Sequence, residues 1–272
     1  MLDRLQNVRA QAAAGMYDHL RPRRLATLTA SWARDRRGRR AYRLLSEPEL
    51  RATRTSDTAF VFGSGRSLRE IAPGEWEAIA GCNTISLREF PRQSWVRADY
   101  HLTVEVDFLD QYAARIRENP LYDETVFAVA KGLRAHMGNE LIGRRLLREG
   151  ARVFRFRRRA RGRYAPPSRT PHTLVHGSNS IFDATNFAYA MGYERIVLAG
   201  ADYYDKGYFW LDEGESRAYD DPRFPATRPW PYAEVIVEMM GRWREIMARD
   251  GVELTVYNPR SLLARTLPVF RF

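Results

Sequence analysis

The stretch Phe60-Val-Phe-Gly-Ser-Gly-Arg-Ser-Leu-Arg69 runs from a short apolar segment into glycine, serine and glycine, then resumes as a helical pattern with Ile71, Trp76 and Ile79 in register to Ala80. A strand, a tight turn and a helix in that order form the opening unit of a parallel sheet. The same alternation continues outward. Short apolar runs at Tyr100 to Val104, Thr125 to Val129 and Val153 to Phe156 are separated by helical intervals such as Phe108 to Arg117 and Leu141 to Arg148. Asn179 to Met191 reads as a helix leading into the strand Arg195-Ile-Val-Leu-Ala-Gly200, and Ala233 to Arg249 as a helix leading into Glu253-Leu-Thr-Val-Tyr257. Alternation of this kind predicts an α/β fold with a mostly parallel sheet and flanking helices.

The 272 residues, 44% of them hydrophobic, suffice for one full core plus an excursion. The excursion falls between the last two strand–helix units. Residues 201–232 are rich in Asp, Tyr, Gly, Pro and Trp, as expected of a lid. Residues 1–55 read as a basic helical appendage, with Leu2, Leu5, Val8 and Ala12 at helical spacing before an arginine run, and 56–272 as the catalytic domain. Arg161 to His176, with three prolines, reads as a surface connection.

The net charge of +11 is almost wholly arginine, since Lys131 and Lys206 are the only lysines. It concentrates in Arg21 to Arg54 and Arg152 to Arg163. Such a field draws nucleic acid, anionic lipid headgroups or polyanionic substrates alike. A single cysteine, Cys82, excludes an internal disulfide and a multi-cysteine metal site. With no run of eighteen apolar residues and no signal-peptide pattern at Met1, the expected location is the cytoplasm.

A strand ending in Gly63-Ser64-Gly65 and opening a helix sets backbone N–H groups at the carboxyl edge of the sheet, where anions bind. Leu68 stands where a dinucleotide fingerprint has its third glycine, and the P-loop lysine is missing. The plain alternative is a tight connection that needs glycine for its backbone angles. Gly81-Cys-Asn-Thr-Ile85, after the first helix, reads as a second strand whose end lies beside the first, with Asn83 placed to hydrogen-bond a ribose or base, or else to cap a turn. Farther along, Ser178 or Asn179 caps the helix to Met191, and Asp202, Tyr203 and Tyr204 leave the next strand at the ligand-bearing edge. The lid aromatics Tyr208, Phe209, Trp210 and Trp230 suit a sugar or base ring, or a small core beneath the lid. Asp220-Asp221 reads as solvated rather than metal-binding, and His19, His101 and His136 receive no role.

The ordered set Gly63-Ser-Gly-Arg-Ser-Leu68, Cys82-Asn83, Ala190-Met-Gly-Tyr193, Ile196 to Tyr204 and Tyr257-Asn-Pro-Arg-Ser-Leu-Leu263 resembles the small bacterial sialyltransferases of glycosyltransferase family 42 over roughly residues 58–265. More distantly it is similar to the MptE-like proteins and the domain of unknown function 115. The resemblance implies a Rossmann-like domain that takes an acidic sugar from a CMP-sugar donor to a glycan or glycolipid acceptor, without metal or other cofactor. It implies Gly63, Ser64 and Gly65 beside the nucleotide phosphate, with Asn83, Ser180 and, in a looser alignment, Asn258 around the nucleotide. Tyr204 and Tyr208 would support the departing phosphate, with Phe209 or Trp210 competing for the second place.

The family's lid histidine is missing: the equivalent stretch reads Arg228-Pro-Trp-Pro-Tyr-Ala-Glu234. That leaves Glu234 or His176 as base, or no base and a different reaction. The alternatives are an ATP-dependent pyrophosphokinase and a non-catalytic nucleotide-sugar-binding protein of glycan assembly. The basic N-terminal region would hold the protein at an anionic membrane, the inner face of the cytoplasmic membrane; nucleic acid is the weaker partner, and a homo-oligomer stays open.

Overall fold

The computed structural model describes residues 22–103, 108–133, 135–160, 165–177, 179–205, 207–212, 215 and 232–272, with side chains from residue 25 and excluding that of residue 160. The apolar spacing at Leu2 to Ala12, His19, Ser178, Asp220-Asp221, Trp230 and most of the lid therefore lie outside the described residues.

The described residues build one nine-stranded sheet in which every ladder among them is parallel. In chain order the strands are β1 (Arg43–Leu44), β2 (Thr58–Phe62), β3 (Asn83–Leu87), β4 (Tyr100–Thr103), β5 (Val126–Ala130), β6 (Arg152–Ala160), β7 (Thr173–His176), β8 (Arg195–Ala199) and β9 (Glu253–Val256). Across the sheet they run β1-β6-β5-β4-β3-β2-β8-β9, with β7 paired to the far half of β6. The expected α/β, Rossmann-like architecture is present.

Both faces are covered, so strand residues of either parity are apolar. Ala59, Val61, Val126, Ala128, Ile196 and Leu198 point to one core, under helices α6 (Ser180–Met191) and α7 (Ala233–Arg249). Phe127, Val129 and Val153 point to the other face, under α4 (Leu109–Glu118) and α5 (His136–Gly143), with Phe60 and Phe62 beside them against Trp76 of α3 (Pro73–Ala80).

The segment from residue 22 to 55 packs onto this domain. Helix α1 (Pro22–Gly38) lies along α5, β1 pairs with β6, and the short α2 (Glu47–Arg51) buries Leu50 completely in the main core. Asp35 of α1, fully buried, pairs with Arg155 of β6. Among the described residues no helix is long and apolar enough to cross a membrane.

Three local expectations need correction. The helix expected from Leu68 to Ala80 is broken into a 3-10 turn, Arg66–Glu70, and α3. Pro73 forces Ala72 into an extended conformation (ψ 154°), and Glu75 reaches back to the Ala72 N–H at 2.8 Å, so α3 starts afresh there. The helix expected over Leu141 to Arg148 begins earlier, at His136, and ends at Gly143. The proline-rich connection contains a strand, β7, because β6 runs on to Ala160 and offers it an edge.

Candidate functional site

The strand order reverses at β2, which has β3 on one side and β8 on the other. Open parallel sheets bind ligands outside the carboxyl ends at such a reversal. Here a cleft of about 140 Å³ lies there, lined by Gly63, Ser64 and Gly65 after β2, Leu87 and Arg88 at the end of β3, Asn179 to Ile181 opening α6, and Gly200 to Tyr203, Asp205, Gly207 and Tyr208 after β8. It is smaller than the ~300 Å³ of a whole small-molecule pocket.

The glycine turn is zipped to the segment after β8. Gly63 N–H donates to Ala199 O (2.7 Å), Gly65 N–H to Gly200 O (2.7 Å) and Arg66 N–H to Gly207 O (3.1 Å). Ser67 donates twice to Asp202, from N–H to Oδ2 (3.1 Å) and from Oγ to Oδ1 (2.6 Å). Ser64 N–H is left as the amide of this turn without a protein acceptor among the described residues. Glycine is required because the two strand ends touch. A Cβ on Gly63 would collide with Gly200 O, and one on Gly65 with the Asp202 carboxylate.

The broken helix after the turn removes the helix dipole expected at Gly63 to Gly65. That role falls to α6, whose twelve residues are all buried and whose first turn opens on the cleft. Asn179 caps it, accepting from Ile181 N–H at 3.1 Å and donating to Tyr203 Oη at 3.0 Å. Ser180, the next residue, is 4% exposed and lines the cleft.

Tyr203 sits in the left-handed region (φ +61°) beneath this cap, and burial raises its pKa. Tyr208 lines the cleft, bridges to Gly65 and stacks on Trp210 with centroids 4.7 Å apart. Tyr204 is half-buried and is not among the lining residues. Burial, then the negative charges of Asp202 and Asp205, push its phenol up to about 12, so at neutral pH it keeps its proton as a donor.

Asp202 is the buried hub. It takes the two Ser67 donors and Asn258 Nδ2 (2.9 Å) on a carboxylate 4% exposed, and burial raises its pKa against those hydrogen bonds. Asn258 thus acts on the cleft through Asp202. Asn83 is not brought to the cleft: it begins β3 rather than ending it, on the opposite edge of the sheet. There its Oδ1 accepts from Thr55 N–H (2.9 Å) and Ser56 N–H (3.0 Å), and its Nδ2 donates to Thr55 Oγ1 and Asp99 Oδ2.

Neither base candidate lines the cleft. Glu234, in the first turn of α7, is exposed and ion-paired with Arg265 at 2.7 Å. His176, ending β7, holds Asp183 Oδ2 with Nδ1 at 2.7 Å, and Arg158 reaches both the imidazole and Asp183. Asp183 is fully buried in the first turn of α6, three residues from Ser180.

Sequence reasoning missed Arg88, whose φ of +51° marks a strained backbone at the cleft. Its signal was a basic residue directly after an apolar run, visible once the strand is followed to Leu87. No group of three His, Cys, Asp or Glu residues suited to a metal occurs among the described residues.

No protein-family model and no curated protein matches this chain. Among solved structures it is similar to the monofunctional alpha-2,3-sialyltransferase Cst-I from Campylobacter jejuni, at 14% identity over 79% of this chain and 80% of that one, with a TM-score of 0.48.

Proposed function

We propose that the protein is a glycosyltransferase that moves an acidic sugar of the sialic acid or Kdo type from a CMP-sugar to a cell-surface glycan or lipid-linked acceptor without a metal ion. The observation that carries this reading is the convergence of the glycine turn, the capped end of α6 and the tyrosine-bearing segment after β8 on one cleft at the sheet's reversal point. In the reaction the bond from the anomeric carbon to the phosphate oxygen breaks, its electron pair going to CMP. The acceptor oxygen bonds the anomeric carbon and its proton passes to a base. Ser64 N–H, the α6 terminus with Ser180, and the Tyr208 hydroxyl are the donors for the phosphate charge that develops. His176, oriented by Asp183, is the better base, because Glu234 is tied to Arg265 in solvent. The basic N-terminal region would hold the enzyme against the inner face of the cytoplasmic membrane.

Thermal shift with CMP, CDP, CTP, UMP and ATP, with and without Mg2+, tests the reading. Stabilisation by CMP in the absence of metal is expected; a response confined to Mg-ATP would favour a pyrophosphokinase. Hydrolysis of CMP-sialic acid and CMP-Kdo is expected to fall in His176→Ala and to persist in Glu234→Gln. One observation favours a non-catalytic nucleotide-sugar binder instead: both base candidates stand off the cleft lining. CMP binding with no turnover of either donor would establish that second reading.

A further inference from the structure

A second cavity, about 260 Å³, opens at the carboxyl end of β5, beside the middle of β6 and α1, lined by Trp32, Arg36, Arg39, Lys131, Gly132 and Arg157. Four of its six residues are cationic. The carboxylate beside them is Asp35, fully buried and already shared between Arg39 (Nε at 2.9 Å) and Arg155. The nearby Glu140 is engaged by Arg34 at 2.5 Å.

Arg36 lies over the Trp32 ring, 4.5 Å from its centroid. Lys131 and Arg157 have no side-chain acceptor among the described residues. Burial, then repulsion from Arg155, Arg157 and Arg39, pulls the Lys131 ammonium below the ordinary lysine value. Gly132 holds φ +118° with nothing within 4 Å of where a Cβ would stand, so the backbone beside the cations remains open. Like charges gathered in a partly desolvated hollow repel one another until an anion enters.

We propose that this cavity is a second ligand site that binds a phosphoryl group through Lys131, Arg157, Arg36 and Arg39. A phosphate monoester brings up to two charges and three oxygens to converging cations, and guanidinium forks match its geometry; a carboxylate brings one charge and two oxygens. The site shares the carboxyl edge with the cleft, three strand spacings away, or roughly 14 Å between β5 and β2. If the transferase reading holds, that is where a phosphorylated acceptor would rest while its far end reacts. The anion site itself does not depend on that reading.

Isothermal titration of the full chain with inorganic phosphate and with pyrophosphate, at ionic strength held constant with chloride, reads the site directly. Lys131→Gln/Arg157→Gln is expected to bind phosphate at least about tenfold more weakly than wild type, with CMP affinity unchanged and a melting temperature no lower than wild type, since two mutually repelling charges are gone. Arg242→Gln, which alters a distant ion pair with Glu238, is expected to bind like wild type. Equal phosphate affinity in the double variant, or no phosphate binding by wild type in both this assay and the vesicle assay, overturns the proposal.

Cosedimentation with phosphatidylcholine vesicles with and without phosphatidic acid identifies the source. Binding that requires phosphatidic acid and is lost in the double variant marks a lipid headgroup. Loss confined to soluble phosphate marks a soluble phosphorylated ligand. Failure of CMP to bind would remove the transferase reading and leave this site standing.

Discussion

Gly65 carries more of the site than its lack of a side chain suggests. Its N–H is bonded to Gly200 O, Tyr208 bridges to it, and the space a Cβ would fill is occupied by the Asp202 carboxylate and, at 2.8 Å, by Gly200 O. Gly65→Ala must therefore push Asp202 off the Ser67 and Asn258 donors. A loss of about 2–4 kcal/mol in unfolding free energy is expected by urea denaturation. Ser64→Ala, at a half-buried position whose N–H is retained, should leave the unfolding free energy within about 0.5 kcal/mol of wild type. Phosphate approach alone would make the two positions similar; the strand-end contact makes them differ. The glycine pattern was plain in the sequence, but its reason was not, because Gly200 and Asp202 lie more than a hundred residues away.

Helix α6 joins fold and site at the scale of an element. Its cap, Asn179, serves both: Oδ1 closes the first turn and Nδ2 fixes the Tyr203 hydroxyl. Asn179→Ala is expected to cost about 1 kcal/mol of stability and, under the proposed function, to weaken CMP roughly fivefold by calorimetry, as the helix end frays toward the cleft. This helix was legible beforehand, as were β2, β8 and α7 with β9, because a strand covered on both faces shows as an unbroken apolar run and a long buried helix shows its cap.

β3 and β6 were legible only in part. β3 was cut short because Ser86 interrupts its apolar pattern; in the fold that hydroxyl is satisfied by Tyr100 O and His101 Nδ1. Following the strand to Leu87 moves Asn83 to the far edge and brings Arg88 to the cleft. β6 was hidden by its arginines. Arg155 is neutralised by Asp35 and Arg158 by Asp183, partners supplied by helices distant in the sequence.

For the whole molecule, acid stability has a definable contributor in His101. It is fully buried in the α4–α5 face of the core, sharing hydrogen bonds with Ser86 and Tyr112, and burial pulls its pKa down to about 3. The folded state thus keeps the imidazole neutral while the unfolded chain, with a pKa of about 6.5, takes up a proton. Stability from this residue is fully present above about pH 6.5 and declines as pH falls toward 3, at about 1.4 kcal/mol per unit. Between pH 7 and pH 5 wild type should lose about 2 kcal/mol more than His101→Gln in urea melts, since glutamine has no proton to gain. Parallel pH profiles for the two proteins would show that His101 does not set the acid limb.

The reversal of strand order at β2 also fixes a timetable. β2 finds β3 within some twenty residues of chain, but its other edge waits for β8, in register from Thr58 opposite Arg195 to Phe62 opposite Ala199. At ribosomal rates of about 5–20 residues per second, roughly 7–27 s pass between synthesis of Phe62 and of Ala199. Throughout that interval the nascent chain carries an apolar edge, Ala59-Phe-Val-Phe62, with its ladder half made and no cleft beside it. Until Ala199 is made, that half-paired apolar edge is a surface for a chaperone to cover.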